Sequence, residues 1–145
     1  LFDNISAGAN VTRDDAMEAA RLAGLEKDIE QLPMGLDTYL SEGASTLSGG
    51  QRQRMMIARA IVNRPKILIF DEATSALDNE TQALVSKGLE EFDATRIVIA
   101  HRLSTIVHAD KIFVLDQGKV AEQGSYNELM ATDGLFAQLA KRQIA

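Results

Sequence analysis

Apolar residues recur at helical spacing in the first third of the chain and then gather into short solid runs. Ala16, Met17, Ala19, Ala20 and Leu22 follow Thr12-Arg13-Asp14-Asp15. That pattern predicts a helix with Thr12 as N-cap, Asp15 at its third position and Gly24 as its stop. Leu25 to Leu32 predicts a short second helix, ended before Pro33. Gly35 to Thr46 is mixed and reads as loop. Ser48 opens the next helix, which carries Met55, Ile57, Ala58, Ile61 and Val62 and ends near Asn63-Arg64-Pro65.

The period changes at Lys66. Lys66 to Phe70 and Arg96 to Ala100 are short, apolar and bounded by turn signals, the pattern of parallel strands buried on both faces. Between them Asp78 to Phe92 repeats Leu84, Val85, Leu89 and Phe92 at helical period, so the three predict a right-handed βαβ unit. Leu103 to His108 predicts a short helix. Lys111 to Leu115 predicts a third strand, turned by Gln117-Gly118 into Val120 to Gln123. Ser125-Tyr126-Asn127-Glu128 is a capping box opening a helix that Asp133-Gly134 breaks. Leu135 to Ile144 predicts a last amphipathic helix, with Leu135, Phe136, Leu139 and Ala140 on one face. The fold class is α/β. The chain divides into four segments: a helical part over 1–46, a glycine-opened helix over 47–65, an α/β core over 66–124 and C-terminal helices over 125–145.

Composition narrows the chemistry. The chain has 145 residues, one domain's worth or part of one, with 46% hydrophobic residues and a net charge of −6. That charge implies no general affinity for nucleic acid or anionic lipid. There is no cysteine, hence no disulfide framework or thiolate metal site. No stretch is long and apolar enough to span a bilayer. The sequence opens Leu1-Phe2-Asp3-Asn4, without a methionine or basic leader, and reads as a soluble piece of a longer polypeptide.

Candidate chemistry lies in two places. Leu47-Ser48-Gly49-Gly50-Gln51 puts a glycine-rich turn at a helix N-terminus, where open backbone N–H groups and the helix dipole favour an anion and glycine permits its close approach. The same turn could serve simply as an N-cap. Ile67-Leu68-Ile69-Phe70 ends in Asp71-Glu72, two carboxylates at the C-terminal end of a strand, where open α/β sheets bind ligands. A carboxylate there can hold Mg²⁺ through water, and its neighbour can orient or deprotonate an attacking water. Asp78 is also a natural N-cap for the helix that comes after it. Arg52 and Arg54 read as a solvated helix face, Met55 and Met56 as core packing, and His108 as surface.

In this order and at these spacings the motifs resemble those of ABC ATPases. Leu47 to Gln51, followed by Arg52-Gln53-Arg54, resembles their signature motif, and Ile67 to Asp71 their Walker B strand. Glu72 matches the catalytic carboxylate, Ser75-Ala76-Leu77-Asp78 the D-loop, and His101 the switch histidine. The resemblance covers essentially the whole chain. It implies the C-terminal portion of a P-loop NTPase (RecA-like) core with an α-helical signature subdomain. It further implies ATP and Mg²⁺ as ligands, with Glu72 and His101 catalytic, Asp71 on the metal and Asp78 in contact across a dimer. Ser48, Gly49, Gly50 and Gln51 would then meet, in trans, the γ-phosphate of ATP held by a second nucleotide-binding domain. Glu42, five residues before Leu47, matches an acidic position where exporters touch the coupling helices of their transmembrane domain. Its context here, Ser41-Glu42-Gly43-Ala44, departs from the usual Gly-Glu-Arg-Gly.

No G-x-x-x-x-G-K-[ST] occurs in these 145 residues. The phosphate-cradling loop and the Q-loop of the family lie upstream of the matching region, so the resemblance implies a segment that is not catalytically competent alone. Its implied setting is the cytoplasmic face of a membrane, in a transporter that couples ATP hydrolysis to export. Two alternatives stand beside it: a non-catalytic interaction module built on the signature turn, and a non-transport relative acting on DNA. The long coiled-coil insertion of the latter is absent from the sequence.

Overall fold

A computed structural model describes residues 1–40, 47–71, 77–99 and 103–144. The chain divides into two compact units, Leu1–Ile97 and Val98–Ala145.

The first unit begins with helices α1 (Phe2–Ser6), α2 (Arg13–Leu22) and α3 (Glu26–Gln31) and a single 3₁₀ turn at Gly35–Asp37. Helix α4 (Gly49–Ile61), strand β1 (Ile67–Asp71) and helix α5 (Asn79–Glu90) come next; strand β2 (Thr95–Ile99), which lies beside β1 in a two-stranded sheet, carries the chain past the boundary at Ile97. Thr12 and Asp15 form the expected capping box on α2, and Gly24, at φ +68, ends the turn after it. One core runs through the unit. Ile5, Ala16, Ala20, Leu25, Ile57, Ile61, Leu68, Phe70 and Val85 all belong to it. The small alanines of α2 let helices approach closely. On α5, a Cβ built on Gly88 would fall 2.1 Å from the backbone oxygen of Leu22.

Both strands differ from the sequence expectation. β1 is buried on one face only: Leu68 and Phe70 join the core, while Ile67 and Ile69 are 62% and 67% exposed. β2 is exposed along its whole length. A continuous apolar run is buried on both faces only when layers cover both. Here the helices of the first unit cover one face of β1, and among the described residues nothing covers the other. Three helix assignments also change. Arg54 is largely buried rather than solvated, Met56 is exposed while Met55 is core, and Leu84 on α5 is exposed.

The second unit holds helix α6 (Leu103–Ile106), strands β3 (Ile112–Asp116) and β4 (Lys119–Gly124), and helices α7 (Tyr126–Ala131) and α8 (Leu135–Ile144). β3 and β4 form an antiparallel hairpin whose two turn residues, Gln117 and Gly118, both have positive φ (45° and 76°), as a tight type I′ turn requires. Ser125 and Glu128 form the expected capping box on α7. Ile112, Val114, Leu129 and Phe136 make a small core, with Tyr126 set edge-on to Phe136. On α8 the buried face is Phe136, Ala137 and Ala140, while Leu139 is exposed. A register shift between Val114 and Leu115 leaves Ala121 unpaired. Glu122, paired with Val114, caps α8 from a different element: its two oxygens accept from the amides of Leu135 (2.7 Å) and Phe136 (3.0 Å). Gly134 makes room for that carboxylate, since a Cβ there would lie 1.9 Å from Glu122 Oε1.

Candidate functional site

The turn at Ser48 is built by a capping box. Ser48 has extended backbone, its Oγ accepts from the Gln51 amide (3.1 Å), and its own amide donates to Gln51 Oε1 (2.8 Å). Leu47, immediately before, is buried and anchors the turn in the core. Ser48 and Gly49 are exposed, and Gly50 is half-buried. The amides of Gly49 and Gly50, at the first two helical positions, have no carbonyl four residues back in the helix to receive them. Among the described residues a Cβ built on Gly49, the first residue of this 13-residue helix, meets nothing within 4 Å, so there is room beside it. An anion can therefore approach the amides at the positive end of the dipole.

Gln51 is engaged at both ends of its carboxamide. Besides the contact with the Ser48 amide, its Nε2 donates to Asp28 Oδ1 of α3 (2.7 Å). Asp28 Oδ2 accepts from Arg54 Nη2 (2.7 Å), and the buried Nε of Arg54 has no hydrogen-bond partner among the described residues. Asp28 carries no signal in the sequence that links it to a turn about 20 residues downstream; only the packing of α3 on α4 brings them together.

Asp71 ends β1 with its side chain exposed. Among the described residues no group of three histidines, cysteines or acids could hold a metal ion. Asp71 as a single accessible carboxylate fits Mg²⁺, which keeps several waters and is bound by one or two carboxylates with substrate phosphates. Glu72, Ser75, Ala76, His101 and Glu42 lie outside the described residues. Leu77 is buried and Asp78 is exposed. Asp78 caps α5, accepting from the Thr81 amide (2.9 Å) and the Thr81 hydroxyl (2.8 Å).

Those two donors hold the Asp78 carboxyl below the ordinary carboxylate value, the backbone N–H of Thr81 contributing most and its hydroxyl next. A pKa lowered in the folded state means a cap that is fully stabilising above the unfolded value and is lost as pH falls through the folded one. In a carboxyl-carbon NMR titration we expect Asp78 to titrate below the ordinary aspartate range. Thr81→Val removes one of the two donors and should move the midpoint upward. An unchanged midpoint would show that the hydroxyl does not bind the carboxylate.

A capped helix that opens on two glycines lies in the same unit as a strand that ends in a carboxylate, and the likeness of the chain to known proteins shows the fold class to be the C-terminal portion of a P-loop NTPase core. Residues 1–75 match the ABC transporter family, and the chain belongs to it. It is 50% identical over 137 residues to an ATP-dependent lipid A-core flippase of Shewanella frigidimarina, covering 93% of this chain and 23% of that protein. It is 47% identical over 148 residues to ABC transporter B family member 4 of Dictyostelium discoideum, covering 100% of this chain and 19% of the relative. Among solved structures it is similar to a bacterial Atm1-family ABC exporter with ATP bound. The TM-score is 0.93 at 45% identity, over 99% of this chain and 26% of that one. The chain thus spans about a quarter or less of the relatives it matches. No helix among its described residues is long and apolar enough to cross a membrane.

Proposed function

We propose that this segment supplies part of an ATP-hydrolysing site within a longer ABC exporter, and that ATP binding and hydrolysis at a pair of such domains drive export across a membrane. The observation that carries the reading is the Ser48-capped turn, with its two glycines at the first two positions of a helix and room beside Gly49 among the described residues. Ser48, Gly49 and Gly50 would donate to the γ-phosphate of ATP held by a partner domain, with Gln51 closing the turn from behind. Asp71 would hold Mg²⁺ through water, and Glu72 would orient and deprotonate the attacking water. When bound, Mg²⁺ supplies charge neutralisation at the phosphate oxygens. His101 would donate to the γ-phosphate, and Asp78 would face the partner while capping α5. Glu42 would meet the coupling helices of a transmembrane domain, which places the segment at the cytoplasmic face. The identities with proteins named as an ATP-dependent flippase and an ABC exporter support this reading over a DNA-directed ATPase.

The test uses a substitution that the fold tolerates. Among the described residues nothing lies within 4 Å of a Cβ on Gly49, and an acid in the first turn of a helix favours the dipole, so Gly49→Asp should leave the melting temperature nearly unchanged. It also sets a negative charge where the phosphate would sit. Steady-state ATPase activity of the full-length polypeptide should fall by roughly 30-fold or more, about 2 kcal/mol of transition-state stabilisation, because the added carboxylate repels the phosphate. Wild-type turnover in this variant would refute a phosphate role for the turn.

A further inference from the structure

The residue that the proposed chemistry leaves unused is Asp28, and its position is specific. It sits on α3, yet each of its oxygens is taken by α4: Oδ1 by Gln51 Nε2 and Oδ2 by Arg54 Nη2, both at 2.7 Å. Its side chain is 25% exposed and that of Arg54 only 12%, so water competes weakly for either contact. Gln51 is the link to the site. Its Oε1 accepts from the Ser48 amide while its Nε2 donates to Asp28. Turning the carboxamide over would set its NH₂ against the Ser48 N–H and its oxygen against a carboxylate oxygen. Both contacts would fail together, so Asp28 selects one orientation of Gln51.

We propose that Asp28 is a positioning residue for the Ser48–Gln51 turn. It holds the Gln51 carboxamide in the orientation that closes the capping box, and through it fixes the direction in which the Gly49 and Gly50 amides point. Arg54, one turn along α4, takes the second oxygen and keeps the carboxylate from rotating away. The site therefore needs two acceptors on one short side chain. Asparagine supplies the acceptor for Gln51 but not the one for Arg54, and alanine supplies neither. This inference rests on the phosphate role proposed for the turn.

The experiment measures kcat and KM for MgATP in the full-length polypeptide, for wild type, Asp28→Ala, Asp28→Asn, Gln51→Ala and the Asp28→Ala/Gln51→Ala pair. Thermal melts accompany each, with Gly49→Asp run alongside. A misaimed donor set should lower kcat about tenfold in Asp28→Ala. The pair should be no worse than Gln51→Ala alone, because both changes disable one contact chain. Asp28→Asn keeps one acceptor but sets an NH₂ against a donor, so it should lower kcat by about threefold, and it carries the test if the alanine variant does not fold. A residue that only stabilises the helix packing would lower the melting temperature and leave kcat of the folded protein unchanged. That result, or a pair whose loss is the product of the single losses, overturns the proposal. If Gly49→Asp abolishes turnover while Asp28→Ala and Asp28→Asn do not alter it, the inference about Asp28 fails alone. If Gly49→Asp is also active, the phosphate role of the turn fails and the inference falls with it.

Discussion

Replacing Gly88 by alanine should destabilise the protein by about 2 kcal/mol or more, although alanine is the better helix former. On an open helix the exchange would gain up to ~1 kcal/mol. Here the new methyl carbon would lie 2.1 Å from the Leu22 backbone oxygen and 2.9 Å from its carbonyl carbon. A flexible side chain could move aside from such a contact; a backbone carbonyl at the end of α2 cannot. Relief requires α5 to shift away from α2, loosening Val85 and Leu89, which are buried in the same core. Overpacking of this kind costs roughly 1–3 kcal/mol, occasionally more, and the absence of any yielding atom puts this site at the upper end before the propensity gain is subtracted. Chemical denaturation of Gly88→Ala beside Lys87→Ala, an exposed neighbour on the same helix, provides the check. The control should stay within about 0.5 kcal/mol of wild type. A Gly88→Ala protein as stable as wild type would contradict the close packing of α2 on α5.

Helix starts were legible wherever a cap was written locally. Thr12 with Asp15, Ser48 with Gln51, Asp78 with Thr81 and Ser125 with Glu128 are contacts three residues apart, and each forms as the local chemistry dictates. The hairpin turn at Gln117-Gly118 was legible for the same reason. The features hidden from the sequence depend on elements far apart in the chain. Arg54 has the composition of a surface residue, and only the arrival of Asp28 from α3 makes its burial possible. Glu122 looks like an ordinary strand acid until the hairpin brings it to the first turn of α8. Gly88 resembles a weak spot in a helix rather than a point of close approach. The opposite error arose at Ile67, Ile69 and Ile97: apolar runs announce burial, yet a strand face is buried only where another layer reaches it. In the candidate site, the glycine turn and the strand-end Asp71 were legible from residue type and spacing. The support behind the turn, Gln51 to Asp28 to Arg54, was not.

The largest functional effect should come from Glu72. β1 delivers Asp71 to the exposed C-terminal end of a strand whose Leu68 and Phe70 are locked in the core. Glu72 is the next residue in the sequence. As the base that takes a proton from the attacking water it would contribute about 10²–10⁴-fold to turnover. Glutamine keeps the size and one hydrogen-bonding oxygen but cannot accept the proton at neutral pH. The Glu72→Gln change is not expected to weaken nucleotide binding, because the phosphate contacts proposed for Ser48, Gly49 and Gly50 do not involve this side chain. The decisive measurement is ATP hydrolysis together with ATP binding by the full-length polypeptide, wild type against Glu72→Gln, in Mg²⁺. The account predicts that hydrolysis falls by about 100-fold or more while ATP is still bound. Hydrolysis at the wild-type rate in Glu72→Gln would contradict it.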